Sequence, residues 1–442
     1  MVCNPWRFLV RDFLGETKRM YHFCTAIEGC KKHQRMVYPS IGIDSQHILM
    51  LSTITMTERP KVLLLIPHYG GGGAEAVFAL LARGLSRDKY ELHLGLVTGL
   101  VTGLLTGPLP SQATPPPGIT VHTLGANRVR GAPLRLLALI RKIKPRVILS
   151  GMFHLNFLVL LLRSFFPRGV QVLIRQNGTV SSALAFGNVP RSTGLLYRLL
   201  YRHADKIICQ SSAMADDLAR KLGLESSQLA VLPNPVDVDG IRDVVAQTEN
   251  VWTGSGPHVV AVGRLSPEKG FDLLLEALSS IEQSFPAIKL VIAGTGPEEA
   301  ALKSQCRRLG LDSAVRFAGQ LNRPATLFNG ASAFVLPSRH EGMPNALLEA
   351  AAAGLALVAT PASGGLVNLL REQPGVWLTA DISAMSLASS LLQALHALKP
   401  GERFAHDFIE PFRLDRAVHA YEELIDVAIG QATTRTPSKS TA

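Results

Sequence analysis

Residues 333–360 read AFVLPSRHEGMPNALLEAAAAGLALVAT, and the predicted fold class follows from them. The apolar run over 333–338 predicts a buried strand, and a polar turn follows over 339–343. Pro344 suits the opening of a helix, because its missing N–H costs nothing there. Gly354 is typical of a helix end, and LALVAT predicts the next strand. Strand, helix and strand in this order favour a parallel α/β sheet.

Two glutamates, Glu341 and Glu349, flank the predicted helix start with seven residues between them. The free N–H groups of a first helical turn, with the helix dipole behind them, attract a phosphate. Glu349 lies about 7.5 Å into the helix at ~1.5 Å per residue, where a carboxylate can accept both hydroxyls of an adjoining ribose. Glu341 precedes the helix and faces a sugar beyond the phosphates. The spacing predicts a nucleotide site; the open alternative is a solvated Glu341 and a Glu349 in a surface ion pair.

A second motif, VVAVGRLSPEKGFDLLLEAL at residues 259–278, places two cations in a tight loop between a strand and an amphipathic helix. The guanidinium of Arg264 can fork onto phosphate oxygens, and Lys269 supplies a mobile point charge. Together they would neutralise a diphosphate leaving group as the bond to a sugar breaks. The alternative for Lys269 is an ion pair with Glu268 or Asp272 at the helix start.

A third strand and turn, LVIAGTGPEEAALKSQC at residues 290–306, repeats the design with Gly294 and Gly296. Gly263 ends the strand of the second motif in a similar way. A GxG sequence after a strand is weak evidence for a phosphate loop by itself. Ligands of open parallel sheets bind at the carboxyl ends of the strands, where all three motifs lie.

Together these motifs resemble those of the retaining family-four glycosyltransferases (group 1), which have the two-domain GT-B fold. The matching segments occur in the family's order and cover roughly residues 60 to 425. They are GGGAE (71–75), ADKIICQSSAMADDL (204–218), VLPNPVD (231–237), VGRLSPEKG (262–270), GTGPEEAAL (294–302) and VLPSRHEGMPNALLEAAAAG (335–354).

The resemblance implies transfer of a sugar from a nucleotide-diphosphate donor with retention of the anomeric configuration. It implies that Arg264 and Lys269 hold the diphosphate. It assigns the ribose to Glu349 and the donor sugar to Glu341, which we interpret as a binding and electrostatic residue rather than a nucleophile. Relatives place a histidine near the donor sugar at the position of His154, for which a hydrogen-bonded core histidine is the alternative.

Several glycines belong to the predicted donor site. Gly72 and Gly73 open the first helix, where backbone without a side chain can approach the phosphates or the acceptor. Glu75, in the same turn, is interpreted as a helix-start charge. Gly364 and Gly365 match a loop that lies against the transferred sugar in relatives. The predicted donor-binding set is Glu349, Gly72, Gly73, Gly263, Gly294, Gly296, Gly342, Met343, Pro344, Gly364 and Gly365.

Length and composition fit two domains, because the chain has 442 residues, 47% of them hydrophobic, and single cores stop growing near ~250–300 residues. Strand-like and helical segments alternate in both halves, which predicts an α/β protein with two Rossmann-like doubly wound parallel-sheet domains facing across a cleft. The predicted parts are an N-terminal extension, mobile or due to start-codon choice (1–57), an N-terminal acceptor domain (58–240), a linker (241–257), a C-terminal nucleotide-sugar-binding domain (258–411), a helix that crosses back as in relatives (412–430) and a disordered tail (431–442).

Two further segments lead to specific structural predictions. Residues 95–118 repeat a V/L-T-G unit before a proline run, which predicts an irregular loop. Residues 147–166 have the length of a membrane span. They carry His154, Asn156 and Arg163, however, so a strand followed by a buried helix is the better interpretation.

We expect no obligatory metal and no cofactor beyond a UDP- or GDP-sugar as co-substrate. Asp237 and Asp239 form a DxD, the metal–nucleotide signature of another glycosyltransferase fold, but they follow Asn-Pro-Val at a helix start and predict capping. Five cysteines without a CxxC pair argue against a zinc site and favour a reducing compartment, hence the cytoplasm. They are Cys3, Cys24, Cys30, Cys209 and Cys306.

The positive charge lies in the first half of the chain. Residues 1–255 contain 29 Lys and Arg against 16 Asp and Glu, whereas residues 256–442 contain 16 against 18. No carboxylate occurs between Leu92 and Ala204. Such a surface attracts anionic lipid headgroups, at roughly 1 kcal/mol per basic residue, or a phosphate-bearing acceptor. We therefore expect a glycan or polyprenyl-linked acceptor and peripheral binding to the cytoplasmic face of an anionic membrane. Charge that serves solubility alone is the alternative, and nucleic acid is disfavoured because interleaved aromatic residues are missing.

The gap in carboxylates also bears on mechanism. An inverting enzyme needs a general base beside the acceptor hydroxyl, and this stretch offers only histidines. By analogy with the family, the departing diphosphate of a retaining reaction can accept the proton itself. We expect a hexosyltransferase that acts on a cell-envelope polysaccharide or a lipid-linked glycan. The alternative function is a sugar-nucleotide epimerase with the same two-domain fold.

Overall fold

The computed structural model describes residues 58–70, 72–100, 114–181 and 193–434. The first of its two sheets consists of β1 (Lys61–Tyr69), β2 (Glu91–Leu100), β3 (Thr120–Thr123), β4 (Val147–Gly151), β5 (Gln171–Arg175), β6 (Lys206–Cys209) and β7 (Leu229–Val231). Their order is β3-β2-β1-β4-β5-β6-β7, and every neighbouring pair is parallel. Leu64 of β1 lies opposite Leu94 of β2 on one side and Leu149 of β4 on the other.

Helices cover both faces of this sheet, which explains why its central strands are apolar throughout. Leu63 and Leu65 of β1 point into one buried cluster, while Val62 and Leu64 point into the cluster on the opposite face. The connecting helices are α1 (Gly73–Gly84), α2 (Pro133–Ile143), α3 (Phe153–Leu162), α4 (Thr193–Leu200) and α5 (Ser212–Leu222).

The second sheet repeats the scheme with six parallel strands. They are β8 (His258–Val262), β9 (Lys289–Ala293), β10 (Val315–Gly319), β11 (Ala333–Leu336), β12 (Ala356–Ala359) and β13 (Val376–Leu378). Their order is β10-β9-β8-β11-β12-β13. The helices of this half are α6 (Val238–Gln247), α7 (Phe271–Ile281), α8 (Glu299–Arg308), α9 (Asn345–Ala352), α10 (Gly364–Leu370) and α11 (Ala384–Ala397). The prediction of two doubly wound parallel sheets is confirmed.

Two predicted boundaries differ from the structure. Helix α6 extends into the predicted linker 241–257, and its Ile241, Val244 and Val245 pack on the core of the second sheet. This amphipathic helix is therefore part of the second half. The remaining domain boundaries stay predictions.

The last helix, α12 (Leu414–Thr434), packs on the first sheet. Tyr421 and Ile425 are buried in the same cluster as the strand residues of β1. The helix continues four residues past the predicted end at 430, because Ala432 is still buried. The predicted disordered tail therefore begins too early, and its residues 435–442 lie outside the described ones.

The prediction of an irregular loop over 95–118 is wrong in part. Strand β2 continues to Leu100, and Gly95 and Leu96 pair with both β1 and β3. The strand accepts the start of this repeat because Leu96 and Val97 are buried in the clusters on opposite faces of the sheet. Residues 101–113 lie outside the described ones, as do the N-terminal extension 1–57 with its three cysteines and Gly71 of the GGGAE segment. Cys209 and Cys306 are buried free thiols.

The apolar stretch 147–166 divides into strand β4 and helix α3, as predicted. Helix α3 has ten residues, about half of what a span requires. Among the helices of the described ranges, none has the length and apolar character needed to cross a bilayer.

Candidate active site

The order of the second sheet reverses between β8 and β11, so the loops that follow these neighbouring strands face one crevice. Lys269 lies in the loop after β8 and Glu341 in the loop after β11. Lys269 Nζ donates a hydrogen bond to Glu341 Oε1 at 2.6 Å, across 72 positions of sequence. The structure thus brings together two of the predicted catalytic residues.

This ion pair is shielded from water. The Glu341 side chain is 8% exposed and that of Lys269 is 26% exposed. Glu341 Oε1 also accepts a hydrogen bond from Ser338 Oγ at 2.7 Å. The alternative of a solvated Glu341 is therefore wrong, and so is the pairing of Lys269 with Glu268 or Asp272.

The other acids near Lys269 have their own partners. Glu268 accepts a hydrogen bond from Ser266 Oγ at 2.5 Å, and Arg339 forks onto Asp272 with bonds of 2.7 and 2.6 Å. Burial raises the pKa of Asp272, but the hydrogen bonds and charge of Arg339 outweigh it and leave that pKa below its ordinary value. Glu341 is thus the acid that remains for Lys269.

Arg264 differs from Lys269 because its side chain has no partner among the described residues. Its side chain is exposed at the carboxyl end of β8, and it forms no hydrogen bond or ion pair with any residue in the described part of the chain. A guanidinium without a partner can still offer its fork of donors to an anion. The crevice therefore holds one paired and one available cation.

Three predicted glycines allow the loops after β8 and β9 to pack together. A Cβ atom at Gly294 would lie 1.8 Å from the carbonyl oxygen of Gly263, and one at Gly296 would lie 2.2 Å from that of Leu265. Gly294 also has a φ of 144°, which side chains rarely allow. These glycines shape the floor of the crevice; their contact with a donor stays a prediction.

Helix α9 starts at this crevice. Pro344 precedes its first residue, Asn345, so the helix begins one position later than predicted. Glu349 is half-buried in this helix, and burial raises its pKa to about 7. Glu349 has no ion-pair partner within the described ranges, so the alternative of a surface ion pair is wrong. Its carboxyl group is available to a ligand.

In the first sheet the order reverses between β1 and β4, which creates a matching crevice. Gly72 and Gly73 follow β1, and His154 follows β4. His154 is half-buried and forms no hydrogen bond with a described residue, which does not support the alternative of a hydrogen-bonded core histidine. Burial, with the charge of His68, lowers the pKa of His154. Met152, just before helix α3, has a φ of 77°, the kind of strain that occurs at functional sites.

The pair formed by His68 and Glu75 was not predicted from the sequence. His68 Nδ1 lies 3.3 Å from Glu75 Oε1, and the Glu75 side chain is 5% exposed. Burial raises the pKa of Glu75, while its own backbone N–H and His68 lower it. Glu75 does lie in the first turn of α1, as predicted, but it is enclosed and paired. The signal that could have revealed it is His68 at the carboxyl end of β1, the strand next to the one that precedes His154.

The two halves meet at the predicted glycines of the donor loops. A Cβ atom at Gly342 would lie 2.6 Å from the carbonyl oxygen of Asn177. One at Gly365 would lie 2.5 Å from Ser211 Oγ, whereas Gly364 keeps 3.8 Å to Ala213. The loops after β11 and β12 therefore contact the first half directly, and glycine is needed where they do.

Hydrogen bonds that the sequence did not reveal also join the halves. Asn234, in the VLPNPVD segment, donates to the carbonyl oxygen of Met343 at 3.3 Å and to Asn345 Oδ1 at 2.6 Å. Asn345 Nδ2 donates to the carbonyl oxygen of Gly73 at 2.7 Å. The first residues of α9 and α1 are thereby linked.

A groove of about 640 Å³ lies elsewhere, along the edge strand β10. Trp252, Cys306 and Phe317 contribute to its wall, and it contains none of the predicted site residues. The charged and half-buried groups lie instead in the crevices at the ends of β8, β11, β1 and β4.

The DxD segment is explained by its role at the start of α6, as predicted. The Asp237 side chain caps the helix by accepting from the Gly240 N–H at 3.2 Å, and it pairs with Arg83 at 2.6 Å. Asp239 pairs with Arg413 at 2.6 Å. In residues 58–434, apart from the gaps noted above, no cluster of three or more His, Cys, Asp or Glu side chains has the arrangement of a metal site.

Family models match most of the described chain. The model of glycosyltransferase family 4 matches residues 71–239, and that of the glycosyl transferases group 1 matches residues 246–409. The boundary between them falls within α6.

Curated relatives share the motif-bearing segments. A glycogen synthase of Mycobacterium tuberculosis is 31% identical over 205 residues, which are 46% of this chain and 47% of that protein. The chain thus spans about half the length of such relatives. An N-acetylgalactosamine-N,N'-diacetylbacillosaminyl-diphospho-undecaprenol 4-alpha-N-acetylgalactosaminyltransferase of Campylobacter jejuni is 26% identical over 324 residues, 71% of this chain and 84% of that protein.

Solved structures share the arrangement of the two sheets. Sucrose-phosphate synthase from Thermosynechococcus elongatus superposes with a TM-score of 0.69 at 17% identity, over 84% of this chain and 100% of that one. Anabaena HepE, solved in complex with UDP and glucose, gives 0.65 at 19% identity, over 83% and 100%. These likenesses show the GT-B fold, and the two family models, over residues 71–239 and 246–409, establish that the chain belongs to the group 1 glycosyltransferases of family 4.

Proposed function

We propose that the protein transfers a sugar, with retained anomeric configuration, from a UDP- or GDP-sugar to a cell-envelope polysaccharide or a lipid-linked glycan. The observation that carries this proposal is the crevice at β8 and β11. There the shielded Lys269–Glu341 pair and the unpartnered Arg264 lie in the loops that precede helices α7 and α9.

The donor binds by its pyrophosphate in this proposal. Arg264 forks onto phosphate oxygens, Lys269 adds a second positive charge, and the free N–H groups at the start of α9 donate to the remaining oxygens. Glu349, without an ion-pair partner among the described residues, accepts the ribose hydroxyls once it is ionised. The same two cations neutralise the leaving diphosphate, so we expect no obligatory metal.

Retention is supported by the sequence between Leu92 and Ala204, which contains no carboxylate to act as a general base for the acceptor hydroxyl. The bond from the anomeric carbon to the diphosphate oxygen breaks, and the acceptor oxygen bonds to the same face of that carbon. Its proton passes to the leaving diphosphate, so charge and atoms balance. Glu341 supports the sugar electrostatically, because its Oε1 is already engaged by Lys269 and Ser338 and is a poor nucleophile. His154 lies on the acceptor side of the sugar in this arrangement.

The first half provides the acceptor surface and the membrane contact. Leu195, Leu196 and Leu199 of α4 are 59%, 42% and 43% exposed, and Arg198 and Arg202 are exposed beside them. Apolar side chains flanked by arginines fit the interface of an anionic bilayer. A relative whose name specifies a diphospho-undecaprenol acceptor supports a lipid-linked glycan. We propose peripheral binding at the cytoplasmic face.

Labelled UDP- and GDP-sugars, incubated with the full chain with and without a membrane extract, test this function. We expect label in a glycan or lipid-linked product only when the extract is present. Epimerised donor formed without any acceptor would instead favour the alternative of a sugar-nucleotide epimerase. Thermal unfolding in the presence of a panel of UDP- and GDP-sugars identifies the nucleotide base of the donor, since the unfolding midpoint rises with the affinity of the bound ligand.

A further inference from the structure

The buried guanidinium of Arg175 sets the direction of the hydrogen bonds between the two halves. Arg175, the last residue of β5, is 2% exposed and forms no ion pair with a carboxylate of the described residues. Its Nη2 donates to Asn234 Oδ1 at 2.6 Å, and its Nη1 donates to Asn177 Oδ1. A buried cation without a counter-charge is costly unless dipoles replace it. The amide oxygens of the two asparagines supply those dipoles.

This arrangement fixes the orientation of Asn234. A guanidinium only donates hydrogen bonds, so the amide oxygen of Asn234 must face Arg175 and its NH₂ group must face away. That NH₂ group points to Met343 and to Asn345 Oδ1. Asn345 must therefore present its own oxygen to Asn234 and its NH₂ group to the carbonyl oxygen of Gly73. Each of the two asparagine amides can therefore satisfy its hydrogen bonds in one orientation, and the guanidinium of Arg175 selects that orientation.

We propose that Asn234 and Asn345 are positioning residues that hold the two halves closed over the donor pyrophosphate. The relay begins at β5 of the first half, crosses to the first residue of α9, and returns to the first residue of α1. It thereby fixes the distance between the two helix starts that border the crevice. The identity of the ligand rests on the proposed function, whereas the closure itself rests on the hydrogen bonds.

Close backbone packing beside the relay explains why the amides can reach across. Gly342 approaches the carbonyl oxygen of Asn177 so closely that a Cβ atom there would lie 2.6 Å away. Gln210 Nε2 donates to the carbonyl oxygen of Gln176, next to this contact. Longer side chains would separate the halves, and the relay would then be out of range.

Two substitutions separate the relay from the fold. Asn234→Asp keeps the shape, pairs the new carboxylate with Arg175, and places an acceptor against Met343 O and Asn345 Oδ1. Asn345→Ala removes the second link without adding charge. Asn322→Asp, an exposed change outside the relay, is the control. All are made in the full chain, singly and as the Asn234→Asp/Asn345→Ala double variant.

We measure the radius of gyration by small-angle X-ray scattering and the affinity for UDP and GDP by calorimetry. Both relay variants should have a larger radius than the wild type. Their affinity for the nucleotide that the wild type binds should be about three- to tenfold weaker, the factor that one ordinary hydrogen bond is worth. Because the two residues act as a unit, the double variant should be no worse than the poorer single one.

An unchanged radius in both relay variants, or additive losses in the double variant, would overturn the proposal. If the wild type bound neither UDP nor GDP, the proposed function would fail. The difference in radius would still test the relay. A fall in thermal midpoint without any change in radius would show a merely structural role and would also refute it.

Discussion

The two crevices of the molecule are built alike but stabilised differently. The crevice of the second half has its ions paired at short range, Lys269 with Glu341 and Arg339 with Asp272. The crevice of the first half has histidines instead: burial and the charge of His68 lower the pKa of His154, and His68 Nδ1 lies 3.3 Å from the enclosed carboxylate of Glu75. The second half thus presents a preformed ion pair beside Arg264, whose side chain has no partner among the described residues, whereas the first half presents two histidines and one enclosed acid. We infer that the same topology provides cations for an anionic ligand in one half and imidazole groups in the other.

The largest effect should come from breaking the ion pair between Lys269 and Glu341. In Lys269→Ala the donor side loses one of its two cations, and Glu341 is left buried without its counter-charge. We expect turnover of a labelled sugar nucleotide to fall by about 10²- to 10³-fold, with a lower thermal midpoint.

Lys289→Ala is the matched control, because Lys289 lies at the opposite end of the strands and, among the described residues, its ammonium group donates only to the carbonyl oxygen of Ser313. It should retain activity. Wild-type turnover in Lys269→Ala would contradict the assignment of Lys269 to the leaving diphosphate. Lys269→Arg should recover part of the loss, since it restores the charge but not the compact ammonium group.

The contact between the crevices gives the next largest effect. In Gly342→Ala the new methyl group would lie 2.6 Å from the carbonyl oxygen of Asn177, so the halves must move apart. We expect activity to fall by about one to two orders of magnitude, because a displacement of about 1 Å can cost 10²-fold.

Gly178→Ala tests whether the loss is specific, since a Cβ atom there meets nothing within 4 Å. Its activity should match that of the wild type. If Gly342→Ala were equally active, the closed arrangement would not be the one that turns over.

The parts of the molecule that could be predicted from the sequence are those determined by local sequence patterns. The strands of both sheets follow from apolar runs, and the Lys269–Glu341 meeting follows from two loops at adjacent strand ends. The relay could not be predicted, because Asn234 and Asn345 lie 111 positions apart and Asn345 and Gly73 lie 272 apart. Their contact depends on how the halves pack, which no local period encodes. The burial of Glu75 could not be predicted for a related reason: it depends on β1 and on Gly72, whose Cβ position its carboxyl occupies.

The acid of the donor side provides a pH test. The pKa of Glu349 is raised by burial to about 7, so at pH 6 about a tenth of it is ionised in the absence of ligand. Affinity for the nucleotide should therefore strengthen about tenfold from pH 6 to pH 8. The measurement is calorimetry of wild type and Glu349→Gln side by side, because the ratio of their affinities cancels the titration of the nucleotide.

The same group makes a linked prediction for stability. Its folded pKa lies above the unfolded one, so the stability it contributes below about pH 4.5 is lost as pH rises through 7. Glu349→Gln should be more stable than the wild type at pH 8, by about 3 kcal/mol, and no more stable at pH 4. Equal pH profiles in chemical denaturation would show that Glu349 is not held in a desolvated site.

A separate effect, on membrane binding rather than on turnover, concerns the outer surface of the first half. Replacing Leu195 and Leu199 by Ser removes two exposed apolar side chains of α4 without touching the buried Tyr197, so the fold should be kept. We expect binding to vesicles with one third phosphatidylglycerol to weaken by about 2 to 3 kcal/mol in sum, as the apolar area leaves the interface.

Met385→Ser removes an 81% exposed side chain from the second half and should leave sedimentation with the vesicles unchanged. Equal losses in both variants would place the contact on both halves and remove the contrast between them. Unchanged sedimentation of the α4 variant would leave its leucines without a role at the membrane, and the basic charge of the first half would then have to act alone.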